Sequence, residues 1–381
     1  MAPDDQSGQW LSLPMTRRAA LRRGAQFAGL ASLGLAAACG SGSSSSSSTP
    51  SSAGTTEPLS GTVTFANYPE WIGAHEVAAF EKANPGVKIH QVSELTSGGN
   101  AAQIVQIHQN QGSYDMALAG NTASQQLADG KLIQPVNLAN IPNIKYIPSY
   151  FRKSFPWGVP TDYGKVGLGY RKDLMTETPT SWADLWDLAP KYSGKIIFTD
   201  YDVDVISVAL LKLGYDINTT DPGQLEQAKQ ALLDIKPHVQ AFLPTNVTKP
   251  LLNGSAVMTV DYDYDLGPAS HDNPNVVWVP PKEGMPAYLE GWIAIAGTDK
   301  LPEVEAFMNF HLDPKNYADF VKTTGAAYEE QAANKYLPAS TVNSPAQRYD
   351  PKVIATVHWE RYLDPASQQL RNQIWEEVQA A

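Results

Sequence analysis

An α/β protein of two domains, each built on a mostly parallel sheet flanked by helices, is the fold class this sequence predicts. Three observations carry it. Beyond residue 58, short apolar or alternating runs are separated by segments of helical period, and strands that alternate with helices form parallel sheets covered on both faces. This body is about 320 residues long, more than one core usually fills. The alternation also comes in two series, one before and one after Trp157-Gly158-Val159-Pro160.

In the first series Thr62-Val63-Thr64-Phe65-Ala66 reads as a strand. Val77 and Phe80 at helical spacing predict a helix over 75–83, stopped by Asn84-Pro85-Gly86. Val87-Lys88-Ile89-His90-Gln91-Val92 alternates as a half-buried strand does. A helix is expected over 100–109 with Ile104 and Ile107 on one side. A buried strand follows at Asp115-Met116-Ala117-Leu118-Ala119, then a helix from Ser124 closed by Asp129-Gly130. In the second series, residues 166–171 predict a strand and Ser181 can cap a helix over 182–188. Ile196-Ile197-Phe198-Thr199-Asp200 is a strand ending in a carboxylate, and the helix over 205–213 closes at Gly214. Asp221-Pro222 opens a helix through residue 235, with proline just inside its start. Ala256-Val257-Met258-Thr259-Val260 and 276–279 are further strands, and late helices are expected near 302–312, 316–323 and 367–380. No internal repeat of fixed period is present. In open α/β sheets ligands bind outside the carboxyl ends of the strands, so the residues that follow these strands are the ones to weigh.

Ahead of the body the chain carries an address. Residues 1–14 are polar and unpatterned, and Met15 is a candidate start. Thr16-Arg17-Arg18-Ala19-Ala20-Leu21-Arg22-Arg23 is a basic stretch with a twin-arginine pair. The apolar run after it ends at Ala38 and is too short for a bilayer span, which takes about 20 residues. Basic stretch, apolar run and small-residue site form a signal peptide, and the arginine pair indicates the twin-arginine export route. Cys39, the one cysteine in the chain, follows Leu35-Ala36-Ala37-Ala38. That setting resembles a lipobox, where bacterial lipoproteins are cleaved and acylated, with Ala36 where the motif has a larger aliphatic residue. The Ser/Gly-rich tract after it is coil-like and solvated. The expectation is a signal peptide over 1–39, a tether over 40–57, and lipid attachment at Cys39, holding the protein in the periplasm or at the cell surface.

Composition excludes several classes. Taking the four Arg and two Asp of residues 1–39 from the 28 basic and 39 acidic residues leaves 24 and 37, a net charge of −13. Nucleic acid wants a basic face, so it is not an expected partner. A cationic ligand is compatible. With no second cysteine there is no disulfide framework, and the body has no apolar run long enough to cross a membrane. There is no G-x-S-x-G, no P-loop and no H-E-x-x-H, and the seven His include no pair at metal-ligand spacing. No catalytic residue, metal ligand or cofactor is expected.

Two aromatics follow the first strand, and beyond them acid and aromatic residues cluster four times. Tyr68 and Trp71, in Asn67-Tyr68-Pro69-Glu70-Trp71, either wall a ligand slot or pack against the first helix. Asp200-Tyr201-Asp202-Val203-Asp204 lies between a strand and a helix, where a carboxylate can cap the helix and offset its dipole; three exceed what a cap needs. In Asp261-Tyr262-Asp263-Tyr264-Asp265 an extended backbone puts the three Asp on one face and the two Tyr on the other. This run brushes against a calcium-loop pattern but has Leu266 where Gly is needed and Asp272 where Glu is needed. Tyr288-Leu289-Glu290-Gly291-Trp292 sets a carboxylate between rings. In His358-Trp359-Glu360-Arg361-Tyr362, Arg361 is available to pair with Glu360. An alkyl ammonium asks for carboxylates at its charged ends and ring faces along its methylenes. Paired carboxylates also hydrolyse glycosides, and that reading stays open.

Thr180-Ser181-Trp182-Ala183-Asp184-Leu185-Trp186, Thr199-Asp200, Ala209-Leu210-Leu211-Lys212-Leu213-Gly214-Tyr215 and Asn218-Thr219-Thr220-Asp221-Pro222 resemble, in order and spacing, the solute-binding protein of spermidine/putrescine ABC transporters. The likeness extends over nearly the whole body, from Thr62 to Trp359. It implies a two-lobed periplasmic-binding-protein fold of type II. One lobe would be 58–160 with 291–332 and the other 161–290 with 333–381, closing on ligand like a hinged trap. It implies a polyamine between aromatic walls with acids at its ends, and no cofactor. It also implies a monomer that docks on ABC permease subunits with their cytoplasmic ATPase. Carried over, Tyr68 and Trp71 fall on family aromatics, and Asp204 on an amine-binding Glu. Asp261 or Tyr262 falls on a Trp, Tyr288 on a wall Trp, Glu290 on the Asp that grips an ammonium, and Glu360 on a Gln. Gly120 and Thr122 stand where the family has Ser and Tyr, Tyr201 where it has Asp, and Ala326 where it has Tyr. The resemblance therefore implies a ligand class rather than one polyamine. Rival readings are a binding protein for ferric iron or a sugar, a carboxylate-dependent hydrolase that kept the two-lobe body, and a surface adhesin.

Overall fold

In the computed structural model, residues 58–69, 71–93, 99–110 and 112–381 are described. The signal segment, Cys39, the tether and Glu70 lie outside the described residues. The strands are β1 (Gly61–Ala66), β2 (Val87–Val92), β3 (Met116–Gly120), β4 (Ile133–Gln134), β5 (Val159–Arg171), β6 (Ile196–Thr199), β7 (Val239–Leu243), β8 (Met258–Tyr262), β9 (Val276–Val279), β10 (Met285–Ile295) and β11 (Val357–Trp359). The helices begin with α1 (Glu76–Ala83), α2 (Gly99–Gln109), α3 (Asn121–Asp129), α4 (Ser149–Ser154), α5 (Trp182–Leu188), α6 (Asp202–Lys212) and α7 (Pro222–Ile235). They continue with α8 (Thr248–Asn253), α9 (Asp263–Asp272), α10 (Leu301–His311), α11 (Pro314–Thr324), α12 (Ala339–Asn343), α13 (Pro351–Ile354) and α14 (Pro365–Ala380). Among the described residues no helix is long and apolar enough to cross a membrane.

The strand order is β2-β1-β3-β10-β5-β8-β6-β7, with β4 and β11 on β10 and β9 on β5. Each end is parallel: β1 pairs β2 and β3, and β6 pairs β7 and β8. Between them run β5 and β10, antiparallel to each other and to the strands they join. Two apolar cores result. Phe65, Phe151, Trp292 and Phe307 belong to the first, and Trp182, Phe198, Leu210 and Leu232 to the second. Ala333 and Ile354 pack into the first core, while Ala346 belongs to a small third cluster with Leu266 and Met285.

Most elements form where their local chemistry predicts. Ser181 Oγ accepts the Asp184 N–H at 2.9 Å, and Asp221 accepts that of Gln224 at 2.9 Å with Pro222 opening α7. Two expectations are corrected. β5 is thirteen residues rather than the six of 166–171, and every one is buried. Pro160, Asp162, Gly164 and Lys165 hide its first half from an apolar pattern, and only flanking strands make that composition a buried strand. The Asp261-to-Asp265 run is not extended throughout: β8 ends at Tyr262 and α9 begins at Asp263. Even with this change of period the Tyr262 and Tyr264 rings lie together, stacked with centroids 4.9 Å apart at 13°, as the expected ring face has them.

Lys165 accounts for part of β5's polar character. Its side chain is 1% exposed, ion-paired with the buried Asp263 of α9, and donates to the Ala346 carbonyl at 3.0 Å. The ammonium lies 4.6 Å from the Tyr163 ring centroid. Burial pushes the Asp263 carboxyl upward and Lys165 opposes that shift. Removing one partner of a buried pair leaves an uncompensated charge, so Lys165→Met should cost ~3–5 kcal/mol. Adding Asp263→Leu should recover most of the loss. Urea unfolding of the two variants checks this, and additive losses would argue that the pair does not act as a unit.

Candidate functional site

The acid–aromatic motifs stand at the carboxyl ends of β1, β6, β8 and β11 and within the crossing strand β10. After β1, Asn67 Oδ1 accepts the Tyr68 N–H at 2.9 Å and Asn67 Nδ2 donates to the Trp71 carbonyl at 2.8 Å. That closed turn holds both rings on the edge of the first core. Trp71 meets Tyr264 edge-on at 5.4 Å, Tyr264 stacks on Tyr262, and Tyr262 meets Tyr288 edge-on at 6.2 Å. A line of rings therefore runs from the first lobe's turn, through the start of α9, to the crossing strand β10.

Tyr288 has room because its cross-strand neighbour is Gly164. A Cβ on Gly164 would sit 2.2 Å from Tyr288 Cζ, so only glycine lets the ring lie over β5. Glu290 is flanked in the same way, with Gly120 of β3 on one side and Asp162 of β5 on the other. Asn121, at the start of α3, donates to the Glu360 carbonyl at 2.8 Å and accepts the Leu289 N–H at 3.3 Å. One amide thus fixes the backbones that present Glu290 and Glu360. Asn218 completes the clamp, donating to the Trp359 carbonyl at 3.0 Å and accepting the Arg361 N–H at 2.8 Å.

Asp204, 1% exposed, accepts a short hydrogen bond from the Tyr262 hydroxyl. Asp261 is fully buried and accepts the Tyr262 N–H at 2.8 Å. The acids feel one another. Burial lifts Asp204 and Asp162 each to about 7 and Asp265 to about 6. Glu290 is pushed well above the carboxylate range by burial, then by Asp162 and Glu360. Burial likewise raises Glu360, reinforced by Asp204 and Asp202. Of the two Arg near this group, Arg361 lines the cavity beside Glu360, and Arg371 spends its guanidinium on the Ile217 and Thr219 carbonyls at 2.6 and 3.0 Å. Such a site favours any cation that can enter it.

The structure brings all eight expected residues to this junction: Tyr68, Trp71, Asp204, Asp261, Tyr262, Tyr288, Glu290 and Glu360. Of these, Glu360 alone lines an open cavity of 750 Å³, shared with Tyr201, Asp202, Thr122 and Arg371. Several motif neighbours serve elsewhere. Trp292 is core, 4.9 Å from Phe65 and 5.1 Å from Phe307, so Glu290 is not set between two rings. Trp359 packs on Tyr150 and Phe151. Asp200 accepts from Gln379 at 2.7 Å and no carboxylate side chain caps α6. Sequence reasoning missed Tyr264 as the central ring, and Asp162. A lone Asp and Lys three apart in a buried strand was the signal.

A family model described as bacterial extracellular solute-binding protein matches residues 76–327, and the chain belongs to that family. It is 26% identical over 314 residues, 80% of this chain and 88% of the relative, to the spermidine/putrescine-binding periplasmic protein of Salmonella typhimurium. Among solved structures it matches the spermidine/putrescine ABC transporter substrate-binding protein PotD of Streptococcus pneumoniae with a TM-score of 0.72 and 23% identity. It matches the TpPotD lipoprotein of Treponema pallidum with a TM-score of 0.74 and 19% identity; each match covers 84% of this chain and 99% of the other. These structures share its two-lobed α/β architecture.

The raised acids make ligand-free stability depend on pH. Unfolded carboxylates titrate near 4, so between about pH 4 and the folded values near 7 the native chain binds protons the unfolded chain does not. Their contribution is full below that window and is lost as pH rises through 7. The thermal midpoint of ligand-free protein should therefore be higher at pH 5 than at pH 8. Asp204→Asn should flatten the fall, at about 1.4 kcal/mol for each pH unit in which the two states differ by one proton. A midpoint rising from pH 5 to 8 would contradict this electrostatic picture.

Proposed function

We propose that this chain is the extracytoplasmic capture component of an ABC importer and that its ligand is a polyamine of the spermidine/putrescine kind. The observation that carries the reading is the junction itself: buried and half-buried acids that pair with no Lys or Arg among the described residues, arranged around a line of aromatic rings contributed by both series of strands. The relatives, spermidine/putrescine-binding proteins by name, support the same ligand class. In this reading Tyr68, Trp71, Tyr262 and Tyr288 exclude water along the methylenes, while Asp204, Asp261, Glu290 and Glu360 neutralise the ammonium ends. The protein captures its ligand without transforming it, and needs no cofactor. In this reading the lobes are 58–160 with 291–332 and 161–290 with 333–381, hinged on β5 and β10, with Ala333 and Ile354 of the last segment reaching back into the first core. Closure is a population shift, limited in size by the ligand's preference for the closed state.

Lipidation of Cys39 belongs to the same proposal. A monomeric binding protein must meet its permease, and an acyl anchor on a Ser/Gly leash raises its local concentration at the membrane.

Thermal unfolding with putrescine, spermidine, sugars and ferric salts tests the reading. Polyamine at a hundredfold excess over Kd should stabilise by roughly 2.7 kcal/mol. Glu290→Ala or Asp204→Ala should weaken it about 10- to 100-fold, the worth of a charge-assisted hydrogen bond. Stabilisation by sugars alone would sink the polyamine reading, and glycoside turnover would replace capture with hydrolysis.

A further inference from the structure

Asp162 lies outside the set of residues that the resemblance carried over, yet the sheet register makes it the direct partner of one of them. It stands opposite Glu290 in the β5–β10 ladder. A bulge sets this relation. Pro160 faces Gly291 and Asp162 faces Glu290, so Thr161 is extra, and the two-against-one step re-aims Asp162. Like charges directly opposite across a ladder repel.

Thr161, Trp71 and His311 ease that repulsion, but among the described residues no Lys or Arg neutralises it. Asp162 is 1% exposed; its Oδ1 accepts the Thr161 hydroxyl at 2.9 Å, and its Oδ2 has no hydrogen-bond partner among the described residues. Neither Asp162 nor Glu290 forms an ion pair with any Lys or Arg among the described residues. The other charged groups around Asp162 are Asp263 from α9, Glu329 after α11, and His311 from α10. His311, the only basic one, is engaged with Glu76 at 2.8 Å. The Trp71 indole N–H is directed at Asp162 and is likewise without a partner in hydrogen-bond geometry. Gly120 and Gly164 beside the pair put no side chain into the space.

We infer that Asp162 and Glu290 form a two-carboxylate seat for one primary ammonium group of the ligand, with the Tyr288 ring alongside. The inference rests on the polyamine reading and sharpens it. An R–NH₃⁺ group has three N–H donors, which two carboxylates can share. A quaternary ammonium has none, so the seat selects primary amines by hydrogen bonding as well as by charge.

Titration calorimetry with putrescine on the full chain and on Asp162→Asn tests this. The amide keeps the acceptor for Thr161 and removes the charge. Affinity should fall about tenfold or more, while the thermal midpoint of the ligand-free variant stays level or rises, because a repelling buried charge is gone. A purely structural role would instead lower both. Wild-type protein supplies a second measurement that needs no variant to fold: putrescine should bind at least about tenfold tighter than its bis-trimethylammonium analogue. Wild-type protein that binds both alike, a variant that binds putrescine as well as wild type does, or a variant that loses affinity and midpoint together, overturns the seat alone. Wild-type protein that binds neither putrescine nor spermidine overturns the polyamine reading, and the seat with it.

Discussion

The burial of several carboxylates in one place, with too few cations to match them, is the constraint on which the rest of this structure depends. Each acid loses hydration on burial, and each raises its neighbours. Asp162 and Asp204 are lifted to about 7 and Glu290 and Glu360 beyond the carboxylate range. A fold does not accumulate that cost for stability's sake, since apolar side chains of similar volume would serve a core as well or better. The contrast lies on the same strand. Lys165 answers Asp263 within the protein, and that pair ties β5 to α9 and to the Ala346 carbonyl. Asp162, three residues earlier, is left for something that arrives from outside.

The scaffold makes this acid cluster sustainable by placing it on rigid backbone. Glu290, Tyr288 and Asp162 stand on the two strands that join the parallel ends of the sheet, where ladder bonds on both sides fix the main chain. Glycines at 120 and 164 supply the space, and Asn121 and Asn218 hold the β11 exit against the crossing strands. The rings then do two things at once. They exclude water, which strengthens every electrostatic interaction among them, and they link the turn after β1 to α9 and β10. A ligand lying along them would touch elements of both lobes, which is what closure around a ligand requires.

Capture of a cation by such a site is coupled to protons. Acids poised near 7 are partly protonated when empty and must give up that proton to a bound ammonium, so affinity and pH are linked through the same groups that shape ligand-free stability. The 750 Å³ cavity beside Glu360 gives solvent access to one end of the cluster, while the opposite end at Asp162 is sealed by Thr161 and Trp71. The two ends of a bound diamine would accordingly meet different surroundings.

Much of this was legible in one dimension. Strand–helix alternation, the Ser181 and Asp221 caps and the two-series organisation follow from local period and local hydrogen bonding, which neighbours in sequence decide among themselves. The four acid–aromatic motifs were also visible, because a carboxylate beside a ring stands out in any chain. What they do to one another was not. That Trp292 goes to the core depends on Phe65 and Phe307, and that Asp162 faces Glu290 depends on a single extra residue at Thr161. Local sequence was enough for the class of protein, most of its elements and the chemistry available to its site. Register, bulge and crossing strands, which are relations between residues more than a hundred apart, decided which acids are paired within the protein and which are left to hold a ligand.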